Sequence, residues 1–265
     1  GPSDLSAMLS LIGSSAAFAP VAPAGRVHAA HAATVRMETT ADLEELAVKC
    51  NPKVGFFDPI GLSKWDLWYN GDEQATVGWL RHSEIKHGRV AMFAFVGYVA
   101  QANGAFWPWL LSLDGTKFAD ISAAGSPPEQ WDALPTNAKL QIFAAISFLE
   151  LCGEGSWLTE AQGEKHYMMG GKPGFYPSIK KAGVPHPVPF DLFDPFGFSK
   201  NASPEKKAKG LIAEINNGRL AMLGIMAFLA EAKVPGSVPA LAGKIAPYAG
   251  EPMAPFTAHH KLPFV

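Results

Sequence analysis

Two segments of this chain carry the same pattern of charged and metal-capable side chains, 130 positions apart. Glu84-Ile85-Lys86-His87-Gly88-Arg89-Val90-Ala91-Met92 is matched by Glu214-Ile215-Asn216-Asn217-Gly218-Arg219-Leu220-Ala221-Met222. Each copy puts a carboxylate, an imidazole or amide, a glycine and an arginine at the entrance to an apolar run. Charges that close to a membrane core cost about 2.5–3.5 kcal/mol each on insertion scales, so they need partners. On a helix, Glu84 and His87 are three apart and share a face. Arg89 follows Glu84 by five, about 140° round the helix, and does not easily neutralise its own glutamate. The duplication supplies the partner. Two helices crossing about a pseudo-two-fold axis pair Glu84 with Arg219 and Glu214 with Arg89.

Seven Lewis-basic side chains stand singly on apolar helical stretches: Glu84, His87, Gln141, Glu150, Glu214, Asn217 and Glu231. A membrane-buried macrocycle with a central metal wants one axial ligand of this kind, and Mg²⁺, a hard ion, takes the oxygens readily. Gly88, Gly97, Gly218 and Gly224 are small enough to admit a flat ring or a neighbouring backbone. The sequence has no Gly-rich phosphate loop after a strand, no His-Glu-x-x-His and no cysteine close to a histidine. His82, His166, His186, His259 and His260 read as exposed residues of loops or tails. Glu-x-x-His also occurs in di-iron carboxylate bundles, which makes a membrane di-iron enzyme the remote alternative. Against it, the second copy has Asn217 in place of histidine, and Arg89 and Arg219 repel iron. A proton-conducting transporter is equally remote, because three helices hardly enclose a path.

The composition fits a membrane protein. Of 265 residues, 48% are hydrophobic and 17% charged, with a net charge of −2; ordinary soluble domains carry about 25% charged residues. That balance offers no basic footprint for nucleic acid. Two cysteines, Cys50 and Cys152, make neither a disulfide framework nor a metal site. The 7 Trp and 17 Phe favour membrane-interface belts and broad apolar contacts.

Three helices must position these groups, over about 77–103, 136–152 and 204–232. The first is uncharged from Val90 to Leu113, long enough for a hydrocarbon core of about 30 Å. The second is free of charge only over Leu140–Leu149 and the third only over Leu220–Ala230, so both rely on charge pairing or shielding to cross. Phe57-Asp58-Pro59-Ile60-Gly61-Leu62-Ser63 recurs as Phe193-Asp194-Pro195-Phe196-Gly197-Phe198-Ser199, a turn ahead of each repeated helix. The fold expected is therefore all-α: three transmembrane helices, the first and third crossed about a pseudo-two-fold, with short amphipathic helices at the membrane surface as an option. Lys165, Lys172, Lys180, Lys181, Lys200, Lys206, Lys207 and Lys209 lie between the second and third helices. The first connector instead carries Asp114, Asp120, Glu129 and Asp132. That asymmetry places the N-terminus on the basic side. Residues 5–37 lack any acid, are rich in small residues and read as targeting sequence, leaving 38–265 as a single membrane domain. Within them, Ala16-Ala17-Phe18-Ala19-Pro20 resembles the Phe-bearing cleavage motif of precursors sent into secondary plastids.

The paired Glu-x-x-His-Gly-Arg and Glu-x-x-Asn-Gly-Arg motifs, each followed by Val/Leu-Ala-Met, resemble the chlorophyll-binding light-harvesting superfamily over about residues 53–250. The resemblance implies that Glu84 with Arg219, His87, Glu214 with Arg89, and Asn217 ligate chlorophyll magnesium. It implies that Gln141 and Glu150 act on the second helix, and that Glu231 stands where green-lineage members often have Gln. The Asp58-Pro59 and Asp194-Pro195 turns resemble the segments that hold two central carotenoids. The short C-terminal helix of the family can carry a ligand histidine, but residues 240–244 have none. The plastid motif, the short second helix and the Trp107-Pro108-Trp109 loop look more like red-lineage chlorophyll a/c proteins than the green a/b type. The implied cofactors are chlorophyll a, chlorophyll c and carotenoids of the peridinin or fucoxanthin and diadinoxanthin types. The implied setting is the plastid thylakoid membrane, N-terminus stromal and C-terminus lumenal, among neighbouring antenna subunits and lipids. The partner is a photosystem core, with photosystem I favoured over II. The role is non-enzymatic harvesting, with energy dissipation as the alternative within the family.

Overall fold

The computed structural model describes residues 39–68, 73–181, 192–252 and 254–256. The targeting segment expected at 1–37 and His186, His259 and His260 lie outside the described residues. Among those described there is no strand, only an isolated antiparallel bridge between Leu110 and Lys117.

The helices are α1 (Thr40–Cys50), α2 (Glu73–Ala102), α3 (Phe118–Ser122), α4 (Pro127–Asp132), α5 (Thr136–Glu154), α6 (Ser156–Glu160) and α7 (Pro204–Lys233). Their ends follow local chemistry. Thr39 caps α1 by accepting from the Asp42 amide at 3.4 Å. Pro204 opens α7, where its missing N–H is no loss, and the Ser203 hydroxyl accepts from the Lys206 amide at 3.3 Å. The long helices match the sequence expectation at their centres. α2 starts earlier, with no breaker at Glu73–Gln74, and α5 runs through Gly153 to Glu154, ending at Gly155.

No described helix is long and apolar enough to cross a membrane. The reason is where the charges sit. Arg81, Glu84, Lys86 and Arg89 occupy the first half of α2. Glu205, Lys206, Lys207, Lys209, Glu214 and Arg219 do the same in α7, and α5 has Lys139, Glu150 and Glu154 in 19 residues.

The chain divides into two compact units. The first takes its described residues from 39–94 and 139–223. In it Leu46 of α1 packs on Ile215 of α7, with Cys50 and Leu211 around them. Cys152, Leu158 and Ile179 form a second small cluster, with Leu149 and Tyr176 packed against it. The other unit takes 95–138 and 224 onwards. There Phe228 stacks on Phe95 and Tyr98, with ring centroids 5.0 Å apart in each pair. The Tyr248 amide donates to the Ala232 carbonyl at 2.7 Å, and its hydroxyl donates to Asp132 at 2.6 Å. The α4 entrance is closed by Glu129, which accepts from the Ser126 amide and hydroxyl at 2.7 Å each.

Candidate functional site

α2 and α7 meet at Gly88 and Gly218. A Cβ added at Gly88 would lie 3.0 Å from the Gly218 Cα, and one added at Gly218 would lie 2.9 Å from the Gly88 Cα. Only two glycines allow backbones that close. One residue further along, the arginines turn to the opposite helix. Arg89 Nε donates to Glu214 Oε1 at 2.7 Å, and Arg219 Nε donates to Glu84 Oε1 at 2.7 Å. The duplicated motif thus closes on itself in a symmetric pair of ion pairs. They are not identical. Arg89 also donates to the Gly174 carbonyl at 2.8 Å, whereas Glu84 has a second cation against its other oxygen, Arg81.

The repeat extends to the exposed faces of the helices. Val90, Phe93 and Val96 on α2 are exposed, and so are their mates Leu220, Leu223 and Met226 on α7, again 130 positions on. Ile85 and Ala91, with Ile215 and Ala221, are buried. Each long helix therefore shows one apolar stripe inward and an equally apolar one outward. α5 goes further: every residue from 141 to 148 is exposed, in a stretch with no charge. Apolar surface exposed on this scale marks an interaction face.

His87 and Asn217 occupy matching exposed positions beside those stripes. The His87 Nδ1 lies 2.8 Å from the Ser83 carbonyl. That bond assigns the proton to Nδ1 and leaves the Nε2 lone pair for a metal. Gln141 is exposed near the start of α5. Glu150 is exposed as well, with the Lys86 ammonium against one oxygen.

Glu231 is used differently. Its side chain is buried, Oε1 accepts from the Gly236 amide at 2.8 Å, and Oε2 accepts from the Val238 amide at 2.9 Å. The carboxylate ties down the turn that ends α7, giving the Gly236 and Val238 amides, which have left the helix, a local acceptor.

The two Asp-Pro turns are alike in their bonding. Asp58 accepts from the Ser63 amide at 2.9 Å and hydroxyl at 2.7 Å, and from the Leu62 amide at 2.9 Å. The Ser63 amide bond, foremost, holds the Asp58 carboxyl below the usual carboxylate range. Asp194 accepts from the Ser199 amide at 2.7 Å. Gly61 and Gly197, each three residues on, have φ of 72° and 74°, the left-handed region that favours glycine. Both turns present bare aromatics, Phe57 in one and Phe193, Phe196 and Phe198 in the other. A cavity of about 490 Å³ opens between α1, the Asp58 turn and the Glu84–Arg219 pair, with Leu46, Phe56 and Leu80 in its wall.

Two features escaped the sequence reading. His82 is not an exposed loop residue. It lies buried in α2, its ring stacked on Tyr167 at 3.8 Å, with Nδ1 accepting from the Gly174 amide at 3.1 Å. The sequence offered no sign of a cover, but the connector after α5 folds over it. Burial and the bond to Glu154 push the Tyr167 phenol up. The second is the Lys86 contact with Glu150 and Glu154. The signal available was the charge that Lys86 adds where the second copy of the motif has the neutral Asn216.

The profile of the "Chlorophyll A-B binding protein" family matches residues 42–233. That match takes in both Asp-Pro turns, the crossed pairs and every candidate ligand. The chain belongs to this family. Among similar family members, the chain is 31% identical to a "Fucoxanthin-chlorophyll a-c binding protein, chloroplastic" of Trieres chinensis, over 86% of this chain and 94% of that one. It is 32% identical to "Fucoxanthin-chlorophyll a-c binding protein F, chloroplastic" of Phaeodactylum tricornutum, over 85% and 93%. A "Fucoxanthin-chlorophyll a-c binding protein A, chloroplastic" of Macrocystis pyrifera is 31% identical over 70% of each chain. The chlorophyll-binding family reading rests on the whole domain, and the similarity is to pigment-binding proteins, not enzymes.

Proposed function

We propose that the protein is a light-harvesting antenna, holding chlorophyll a, chlorophyll c and a fucoxanthin-type carotenoid in a plastid thylakoid membrane and passing their excitation to a photosystem. The observation that carries the reading is the repeated outer surface: ligand-type side chains beside exposed apolar stripes, set on helices locked by two reciprocal ion pairs. The names of the relatives support the pigment classes.

The residues present suit chlorophyll. Its central magnesium takes a neutral nitrogen or oxygen, or a carboxylate whose charge is cancelled nearby. The ligand set proposed is Glu84 with Arg219, Glu214 with Arg89, His87 through Nε2, Asn217, Gln141 and Glu150. Glu231 is left out, because both of its oxygens are committed to backbone amides in a buried turn. The Asp58-Pro59 and Asp194-Pro195 turns, with their bare phenylalanines, are proposed to anchor the ends of two carotenoids lying along the outward stripes. Chlorophyll supplies the light absorption when bound. The chain fixes distance, orientation and local polarity, and holds the pigments apart from water.

In this reading α2, α5 and α7 cross the membrane despite their charges. Reciprocal pairing removes net charge from the crossing, and pigment covers the outward faces, so helix hydropathy alone underrates the helices. The lysines between α5 and α7 favour a stromal N-terminus and a lumenal C-terminus. Photosystem I is the preferred acceptor.

The test is reconstitution of the purified chain with a pigment extract containing chlorophylls a and c, followed by pigment analysis per polypeptide. A fixed, reproducible stoichiometry with ordered circular dichroism bands is expected. A chain that folds equally well without pigment, or takes pigment up in no fixed ratio, refutes the reading.

A further inference from the structure

The repeat that joins α2 to α7 is broken at one position that turns away from both. Where the second copy has Asn216, the first has Lys86. The Asn216 amide donates to the Cys50 carbonyl at the end of α1, at 3.2 Å. Lys86 instead reaches α5, the helix with no counterpart in the repeat. Its ammonium contacts Oε2 of Glu150 and stands 2.8 Å from Oε1 of Glu154. The two glutamates are four apart and so on one face of α5.

They are held in different ways. Glu154 has a second donor besides Lys86: the Tyr167 hydroxyl donates to Oε2 at 2.6 Å, and the His82 ring stands nearby, its Nε2 3.3 Å from Oε1. Glu150 has the ammonium on one oxygen only, and its side chain is 53% exposed. Its other oxygen, among the described residues, meets no protein donor. On the same helix Ile146, one turn before it, and Leu151, next to it, are exposed.

A chlorophyll is neutral, with its Mg²⁺ balanced by the macrocycle, so a carboxylate ligand adds one negative charge in apolar surroundings. Uncompensated, that charge is strongly disfavoured. The crossed arginines solve this for Glu84 and Glu214, but the repeat has no arginine to offer α5. We infer that Lys86 is a positioning residue: it cancels the charge of Glu150 and turns its free oxygen outward, making Glu150 the axial ligand of one chlorophyll on α5. This rests on the antenna reading. It gives the unpaired helix the electrostatics of the other two, with the cation borrowed from a neighbour.

The test reconstitutes variants with chlorophylls a and c and counts chlorophylls per polypeptide. Lys86→Met should lose about one chlorophyll, as should Glu150→Leu, while Lys86→Arg keeps the full number. Lys86→Met combined with Glu150→Gln should regain the pigment, because a neutral ligand needs no counter-charge. A purely structural lysine would not be rescued that way, since Glu154 still lacks its partner in the double variant. If Lys86→Met does not assemble, the double variant decides: full pigment supports the inference and failure overturns it. A full complement in Lys86→Met beside a missing chlorophyll in Glu150→Leu overturns the role of Lys86 and leaves the ligand standing. A full complement in Glu150→Leu overturns both, while the antenna reading survives. That reading is tested separately, on the parent chain, by its uptake of chlorophyll in fixed ratio.

Discussion

Removing Arg89 should damage assembly more than removing Arg219, although the two are symmetry mates. Arg89→Leu strands Glu214, for which Arg89 is the only cation within 4 Å among the described residues. Arg219→Leu leaves Glu84 with Arg81 still against its second oxygen. The size of the effect depends on surroundings. The side chains of Arg89 and Glu214 are 35% and 31% exposed in the bare chain, and there the pair is worth about 1 kcal/mol or less. Covered by pigment and lipid, the stranded carboxylate costs about 3–5 kcal/mol, roughly two to three and a half orders of magnitude in the assembly constant. Arg89→Leu should therefore leave the pigment-free polypeptide helical but abolish the pigmented complex. Arg219→Leu should give a reduced yield, and Arg89→Leu with Glu214→Gln should recover part of the loss. The assay is the yield of pigmented complex on a sucrose gradient after reconstitution, with helicity followed by far-UV circular dichroism. Equal yields from Arg89→Leu and the parent would refute the crossed-pair reasoning.

Other outcomes follow from the same geometry. His87→Leu should lose about one chlorophyll with the fold intact, because a neutral ligand leaves no charge stranded; pigment analysis checks it. Gly88→Leu should prevent α2 and α7 from meeting, since even a Cβ there comes within 3.0 Å of the Gly218 backbone. Gly88→Ala should cost about 1–3 kcal/mol, read as a lower melting temperature of the complex. The Asp58 turn should loosen in acid. Its carboxyl titrates below the unfolded value, so its contribution is present above about pH 4 and is lost as pH falls through the lowered value. Hydrogen exchange at the Leu62 and Ser63 amides should rise there, and Asp58→Asn should remove that pH dependence.

Much of the site was legible because the chain states it twice. A lone Glu84 or Arg89 says little, but an offset of 130 shared by Glu, Gly and Arg leaves few ways to pair the charges, and the structure makes both pairs. The Asp58 and Asp194 turns were legible for the same reason. What occurs once was harder to read. Glu231 follows an apolar run as a ligand would, and only the fold of the next seven residues shows its oxygens taken by Gly236 and Val238. His82 reads as polar surface until the 166–174 connector covers it. Lys86 gains its role from α5, far along the chain, and no local pattern announces that. Helix hydropathy is blind to the same pairing: it counts Glu84 and Arg219 as two separate charges, when the fold brings them together.

The account turns on pigments held close enough to share excitation. The most direct measurement is the fluorescence excitation spectrum of the reconstituted complex, detected at chlorophyll a emission. The account predicts that carotenoid and chlorophyll c absorption bands both appear in that spectrum and vanish when the complex is unfolded. Chlorophyll a emission excited only through its own bands, in a complex that contains all three pigments, would contradict it.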